Sequence, residues 1–222
     1  MKREPIVESK ARSRQRAIQI ELHRPSWDEY FMLIAKLAAI RTTCLSRAVG
    51  SVIVVDRQVV STGYNGSVPG APHCSDEGRC YKRAVAGPET SGRYELSRAV
   101  HAEANAVGMA ARRGISVKGG TLYTTLAPCA TCVKLLSSAG IARVVYEKTY
   151  DTAEGQTTDD WAEALDQAGI KHEQLSLSPT TVEKALQVIA QETSRRKALT
   201  GDGLPAIEES ARSNLRQRAS SL

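Results

Sequence analysis

Between Ser26 and Leu177 the apolar positions change period several times, and each change marks the edge of an element. Ser26 followed by Glu29 is a capping-box pattern, in which the hydroxyl caps the N3 amide and the glutamate reaches back to the cap. From Trp27 to Thr42 the positions Phe31, Ile34, Leu37, Ala38 and Arg41 recur at helical spacing and predict a helix with that stripe toward the core. Ser51 to Val55 and Gln58 to Ser61 flank Asp56-Arg57 and predict an antiparallel hairpin. Ala102 to Arg113 predicts a helix with basic residues in its last turn and Gly114 just past its end. A second helix opens at Pro128, placed in its first turn, and runs to Gly140. Strands are predicted at Thr121 to Thr125 and Arg143 to Glu147, a helix at Asp159 to Ala168, an edge strand at His172 to Leu177 and a further helix at Thr180 to Arg196. A helix, a hairpin and then alternating helices and strands give an α/β fold, a three-layer α/β/α sandwich with a mixed five-stranded sheet.

Composition fits a globular protein: 222 residues, 41% hydrophobic, are enough to bury one core. The organisation expected is a basic N-terminal extension at 1–24, one domain at 25–177, and a C-terminal helix with a loosely ordered tail at 178–222. No internal repeat is present. No stretch is apolar enough to span a bilayer, and the charged N-terminus lacks a following apolar signal region, so no membrane partner and a cytoplasmic location are expected. Five cysteines, an odd number, fit a reducing compartment better than a disulfide framework. The net charge of +6 is confined to the ends: residues 1–24 hold seven basic against three acidic residues, residues 178–222 seven against five, and the segment between is neutral. A polynucleotide partner would require a cationic surface to neutralise its phosphates, and the central segment does not provide one.

The chemistry lies in His101-Ala102-Glu103 and Pro128-Cys129-Ala130-Thr131-Cys132. One imidazole and two thiolates suit tetrahedral Zn²⁺, and three protein ligands leave the fourth position open to water, as catalytic sites do. The predicted helices put His101, Glu103 and both thiols at helix N-termini, where the dipole favours thiolates. Glu103, two residues from His101, is placed to take a proton from water and deliver it to a leaving nitrogen. His-x-Glu followed by Pro-Cys-x-x-Cys is the signature of the zinc nucleobase deaminases. Between hairpin and His101 the segment Gly63 to Val100 is too long for a structureless loop in a compact domain, so it reads as a functional insert. It begins within Thr62-Gly63-Tyr64-Asn65-Gly66-Ser67, which by itself predicts a tight turn with Asn65 at positive φ.

That hexapeptide, ahead of the His-x-Glu and Pro-Cys-x-x-Cys elements, resembles the deoxycytidylate (dCMP) deaminase family of the cytidine deaminase-like superfamily, over Trp27 to Leu177. The resemblance implies hydrolysis of dCMP to dUMP and ammonia, supplying dUMP for thymidylate synthesis. It implies Zn²⁺ on His101, Cys129 and Cys132, Glu103 as general acid/base, Asn65 on the sugar, and backbone around Ala102 and Ala127 on the pyrimidine edge. Arg47 and Arg98 are the candidates for the phosphate. Cys44, Cys74 and Cys80, with His73, are either a second, structural zinc site tying the insert to the first helix or free cysteines; relatives place a further cysteine shortly before His-x-Glu that this chain lacks. The resemblance also implies a homo-oligomer, commonly a hexamer, activated by dCTP with Mg²⁺ and inhibited by dTTP, with Tyr64, Gly66 and Arg112 at the effector contacts. Two other readings share the zinc constellation: a polynucleotide or tRNA base deaminase, and a zinc-stabilised binding module without catalysis.

Overall fold

The structure is a computed structural model and describes residues 24–86, 97–149 and 159–200. Helix α1 (Trp27–Ala39) starts at the expected capping box: Glu29 N donates to Ser26 Oγ at 3.2 Å and Ser26 N to Glu29 Oε2 at 2.8 Å. Strands β1 (Gly50–Val55) and β2 (Gln58–Tyr64) pair antiparallel through Asp56 and Arg57, both at positive φ, 49° and 61°. A turn with both central residues in that region has the twist that hairpin strands require. The insert carries a small ladder of β3 (Gly66–Ser67) with β4 (Ala99–Val100), and two short helices, α2 (Cys74–Glu77) and α3 (Tyr81–Ala86). The chain continues through α4 (Ala102–Arg112), β5 (Thr121–Leu126), α5 (Ala130–Ser138), β6 (Arg143–Lys148), α6 (Asp159–Gln167) and β7 (Lys171–Gln174). The sheet order is β2-β1-β5-β6-β7, antiparallel in its first two pairings and parallel in the last two. The mixed five-stranded sheet is the one expected.

Strand alternation assigns a helical layer to each face. Val52 and Val54 of β1, Tyr123 of β5 and Val145 of β6 pack with Phe31, Met32 and Ala35 of α1. Ile53, Leu122 and Val144, one position away on the same strands, pack with Ala106 and Ala110 of α4, Val133 and Leu136 of α5, and Leu165 of α6. The chain divides after Leu177 into two compact units. The second is described through α7 (Pro179–Thr200), whose start is capped by Thr181 N donating to Ser178 Oγ at 3.0 Å. The basic residues expected to form an N-terminal extension, except Arg24, and the tail from 201 onward lie outside the described residues.

Four expectations need correction, the first being the turn at Asn65: this residue sits between β2 and β3 and is not at positive φ, which among the described non-glycine residues is confined to Asp56 and Arg57. α1 buries Phe31, Met32, Ala35 and Ala39, whereas Leu37 is 48% exposed and Arg41 lies beyond the helix. The reason is close approach: a Cβ on Gly50 would lie 2.1 Å from Ala35 O and 2.4 Å from Ala39 N, so β1 rests on the helix backbone and only alanines fit between. Pro128 precedes its helix, because Cys129 is the N-cap of α5. The last strand ends at Gln174, and Leu175 and Leu177 leave the ladder to pack against the α1-side core.

A second close approach fixes the helix that carries His101. A Cβ on Gly63 would lie 2.0 Å from Ala102 O and 2.6 Å from Ala106 N, so β2 lies directly on the first turn of α4. Ser61 Oγ donates to Ala106 O at 2.6 Å, and Asn105 Nδ2 donates to Tyr64 O at 2.8 Å, which sets the register of the contact. At the far end of the sheet Asp28 accepts from Arg143 at 2.9 and 2.8 Å and from Tyr123 Oη at 2.6 Å, and Arg143 also pairs with Glu173. The hydrogen bonds from Arg143 hold the Asp28 carboxyl below its usual pKa of 3.8.

Two outcomes follow. Gly63→Ala should cost at least about 2 kcal/mol, because the clash is with backbone that cannot rotate away, and should lower Tm by roughly 4–8 °C in a thermal melt. Asp28 stabilises the fold fully above its unfolded pKa of 3.8, and this contribution disappears as the pH falls through its lower folded pKa. The Tm gap between wild type and Asp28→Asn should therefore close as the pH is lowered from about 6 to about 3; a gap that stays constant would show that Asp28 acts through packing alone.

Candidate metal centre and active site

α4 and α5 both begin at a residue that gives up capping. His101 is the N-cap of α4 (φ −68°, ψ 153°) and Cys129 the N-cap of α5 (φ −75°, ψ 166°), and neither side chain caps its own helix. Both point instead to a common position, joined there by Cys132 from the first turn of α5. His101 Nδ1 lies 3.5 Å from Cys129 Sγ and 3.5 Å from Cys132 Sγ, and all three ligand atoms fall within 4.8 Å of one another. A tetrahedral ion at about 2.05 Å from nitrogen and about 2.3 Å from sulfur would separate such atoms by about 3.5 Å, so the donor set fits Zn²⁺. Two helix N-termini aim their positive ends at this point, which favours the thiolate forms a metal needs.

Burial and mutual hydrogen bonds spread the proton affinities of the three groups. Hydrogen bonding from Cys132, together with His101, brings Cys129 down to about 4, while Cys132, which donates to that thiolate and lies beside Glu103, is pushed up and stays a thiol. His101 is raised, chiefly by its hydrogen bond with Cys129. Glu103, 3% exposed and two residues into the same site, is pushed up to about 7 by burial. A carboxyl poised there can both accept and release a proton near neutral pH.

The site adjoins a cleft of about 470 Å³ lined by Lys36, Arg47, Lys148 and Glu147 among others. The shared wall is Val49 and Leu126, which line the cleft and also pack on Ala102, next to His101. Lys36 Nζ lies 2.6 and 2.7 Å from the two carboxylate oxygens of Glu147, a nearly buried acid, so the cleft carries three cations against one anion. Nothing in local spacing foretold Lys36, Glu147 or Lys148, because the residues meet only through the packing of α1 across β6. The Glu147 side chain points to the α1 side by the same alternation that places Val145 there.

The remaining candidates divide. Arg47 stands exposed on the cleft. Arg98 belongs to the insert, where its guanidinium sits 3.6 Å above the Tyr81 ring and 3.5 Å from Glu77 Oε1. Asn65 is 7% exposed, and its Oδ1 accepts from Thr42 Oγ1 at 2.7 Å and Val49 N at 2.9 Å, so it has no free lone pair for a sugar. Ala127 N donates to Lys148 O at 2.8 Å, so its amide is engaged within the protein. Ala102 is fully buried in the first turn of α4. Tyr64 and Gly66 flank Asn65, whereas Arg112 is on α4 roughly two turns, about 10 Å, past the Asn105 contact with Tyr64.

The structure does not support a second zinc. Among the described residues no three of Cys44, His73, Cys74 and Cys80 bring their ligand atoms within 4.8 Å of one another. Cys44 and Cys80 each meet Ser46, whose N donates to Cys44 Sγ at 3.4 Å and whose Oγ lies 3.6 Å from Cys80 Sγ. Metal analysis of the purified protein is expected to give one zinc per chain, lost in Cys132→Ser and retained in Cys74→Ser. Two zinc ions, one of them lost in Cys74→Ser, would overturn this assignment.

Comparison with known proteins agrees with the geometry. Residues 25–148 match the family described as the cytidine and deoxycytidylate deaminase zinc-binding region. The chain is 36% identical over 163 residues to ComE operon protein 2 of Bacillus subtilis, covering 73% of this chain and 78% of that protein. It is 46% identical over 128 residues to the deoxycytidylate deaminase of Mycobacterium phage D29, covering 57% of this chain and 98% of that one. A crystal structure of dCMP deaminase from cyanophage S-TIM5, in complex with dCMP and dUMP, superimposes with a TM-score of 0.53 at 25% identity, covering 68% of this chain and 98% of that chain. Two ligating helix starts, a buried acid between them and this match over more than half the sequence make the chain a member of the cytidine and deoxycytidylate deaminase family.

Proposed function

We propose that this protein converts dCMP to dUMP by hydrolytic deamination. The observation that carries the reading is the Glu103 carboxyl, buried against the three ligand atoms of the metal centre, a placement for which a purely structural zinc has no use. Relatives named deoxycytidylate deaminase, and the S-TIM5 structure with dCMP and dUMP, support this substrate over other nucleobase compounds. When bound at His101, Cys129 and Cys132, Zn²⁺ supplies Lewis-acid activation of water near neutral pH. Glu103 takes the proton released as water adds to C4 of the cytosine, gives a proton to N3 and then carries one to the departing amine. The balance is one water consumed, the C4–N bond broken, and ammonia and the uracil base formed.

Arg47 supports a monophosphate substrate: it stands with Lys36 and Lys148 on the cleft that shares a wall with the metal centre. Arginine and lysine donors there suit a phosphate dianion. The dUMP produced feeds thymidylate synthesis. By its resemblance to the family the enzyme acts as a homo-oligomer, activated by dCTP with Mg²⁺ and inhibited by dTTP.

Ammonia release should be measured on cytidine, deoxycytidine, CMP, dCMP, dCTP and cytosine- or adenosine-containing oligonucleotides, with and without dCTP and dTTP. The highest kcat/KM is expected for dCMP, and Glu103→Ala should keep its zinc while losing at least ~10²-fold in kcat. Inactivity on dCMP with turnover of the oligonucleotides would establish a polynucleotide deaminase, and a zinc-loaded protein inactive on every substrate would establish a binding module. Kinetics indifferent to dCTP and dTTP would remove the regulatory part alone.

A further inference from the structure

The loop between α1 and β1 supplies Arg47 to the cleft, yet residues 45–48 are all exposed and belong to no helix or strand. Its conformation depends on a residue outside it. Asn65, in the one-residue gap between β2 and β3, meets the loop with every polar group it has except one amide hydrogen. Its backbone N–H donates to Val49 O at 3.2 Å, and its backbone carbonyl accepts from Thr43 N at 3.3 Å and from Thr42 Oγ1 at 2.9 Å. Its side-chain Oδ1 accepts from Thr42 Oγ1 at 2.7 Å and from Val49 N at 2.9 Å, and Nδ2 donates to Arg47 O at 2.8 Å. The single Thr42 hydroxyl hydrogen is shared between the two oxygens of Asn65, and Thr42 Oγ1 in turn accepts from Cys44 N at 3.2 Å.

We infer that Asn65 is a positioning residue that clamps loop 42–49 and thereby holds Arg47 on the cleft beside the metal centre. A sugar hydroxyl could meet only the remaining Nδ2 hydrogen, because the acceptor capacity of the side chain is spent on the loop. An asparagine amide offers two acceptor and two donor sites. Three of the four are spent on the loop, and no acceptor remains. Val49 N is buried, so removing Asn65 Oδ1 strands a donor that water does not reach, which costs far more than losing one exposed bond. The clamp also joins the substrate's two ends structurally: Asn65 continues from β2, whose Gly63 rests on the α4 turn carrying His101 and Glu103, and grips the loop carrying Arg47. The inference rests on the reading of Arg47 as a phosphate ligand, so its test separates the two.

Amide hydrogen exchange across residues 42–49, together with kcat and KM for dCMP and for deoxycytidine, should be measured in wild type, Asn65→Ala, Thr42→Val and Arg47→Ala. Thr42→Val is the milder variant, since Thr42 loses one hydroxyl at the loop's end and keeps its volume. Exchange in 42–49 is expected to speed up at least roughly 10-fold in Asn65→Ala and by less in Thr42→Val. Both should raise KM for dCMP more than KM for deoxycytidine, by roughly 10-fold in Asn65→Ala, with kcat falling by a smaller factor. Unchanged exchange at 42–49 in Asn65→Ala would overturn the clamp. So would a Thr42→Val variant with wild-type kinetics beside an Asn65→Ala variant that loses deoxycytidine as severely as dCMP, the signature of a direct sugar contact. If Arg47→Ala keeps the full preference for dCMP over deoxycytidine, the phosphate reading of Arg47 falls, and the exchange data then decide the clamp on their own.

Discussion

The structure turns on the convergence of two helix starts at one point. Capping by Ser, Thr, Asp or Asn ordinarily satisfies the first amides of a helix, and replacing such a cap costs about 1 kcal/mol. α4 and α5 have His101 and Cys129 there instead, with side chains that turn away from their own helices. The stabilisation forgone at two N-caps is exchanged for a site in which imidazole and two sulfurs lie at the edge lengths of a tetrahedron. The helix dipoles work in the same direction, since both positive ends face the position where thiolates must form. A buried acid completes the arrangement: Glu103 is removed from water beside His101 and Cys132, and that burial raises its pKa.

Holding that convergence requires rigid spacing, and the fold provides it by bringing backbone onto backbone. Gly50 lets β1 lie on α1, and Gly63 lets β2 lie on the first turn of α4. Neither contact could be made through side chains, whose lengths and rotamers would leave slack in the position of His101 and Glu103. The sheet thus acts as a ruler between two layers: one face anchors α1, with Lys36 and its partner Glu147, and the other anchors α4 and α5. The cationic cleft is linked to the start of α4 through Val49 and Leu126, which line the cleft and pack on Ala102. A cationic cleft beside the fold's chemistry-bearing residues is therefore a consequence of the layer order, and the neutral charge of the central segment is no obstacle to it. Local placement of three cations outweighs the sum over the domain.

Local patterns determined a great deal. Periodicity, the capping box at Ser26 and Glu29, the two-residue turn at Asp56-Arg57 and the glycine after Arg113 were enough for the mixed sheet and the order of elements outside the insert, whose two short helices and small ladder were not foreseen, because each of those signals is set by neighbours in the chain. The clustering of His101, Cys129 and Cys132 was legible for the same reason, since His-x-Glu and Cys-x-x-Cys at helix starts carry their geometry in their spacing. Tertiary structure decided what depends on residues far apart. Which face of α1 is buried was misread, because it is fixed by Gly50 and not by the helix's own apolar stripe. Lys36 and Glu147 are 111 positions apart and meet only through the sheet. Arg47 and Arg98 looked equivalent as sequence, and packing sent one to the cleft and the other onto Tyr81. Asn65 stood out in the sequence, but the sequence could not tell whether its amide faces a ligand or a loop. A side chain's partners are chosen by what the fold brings within 3 Å, and for Asn65 that is the chain itself.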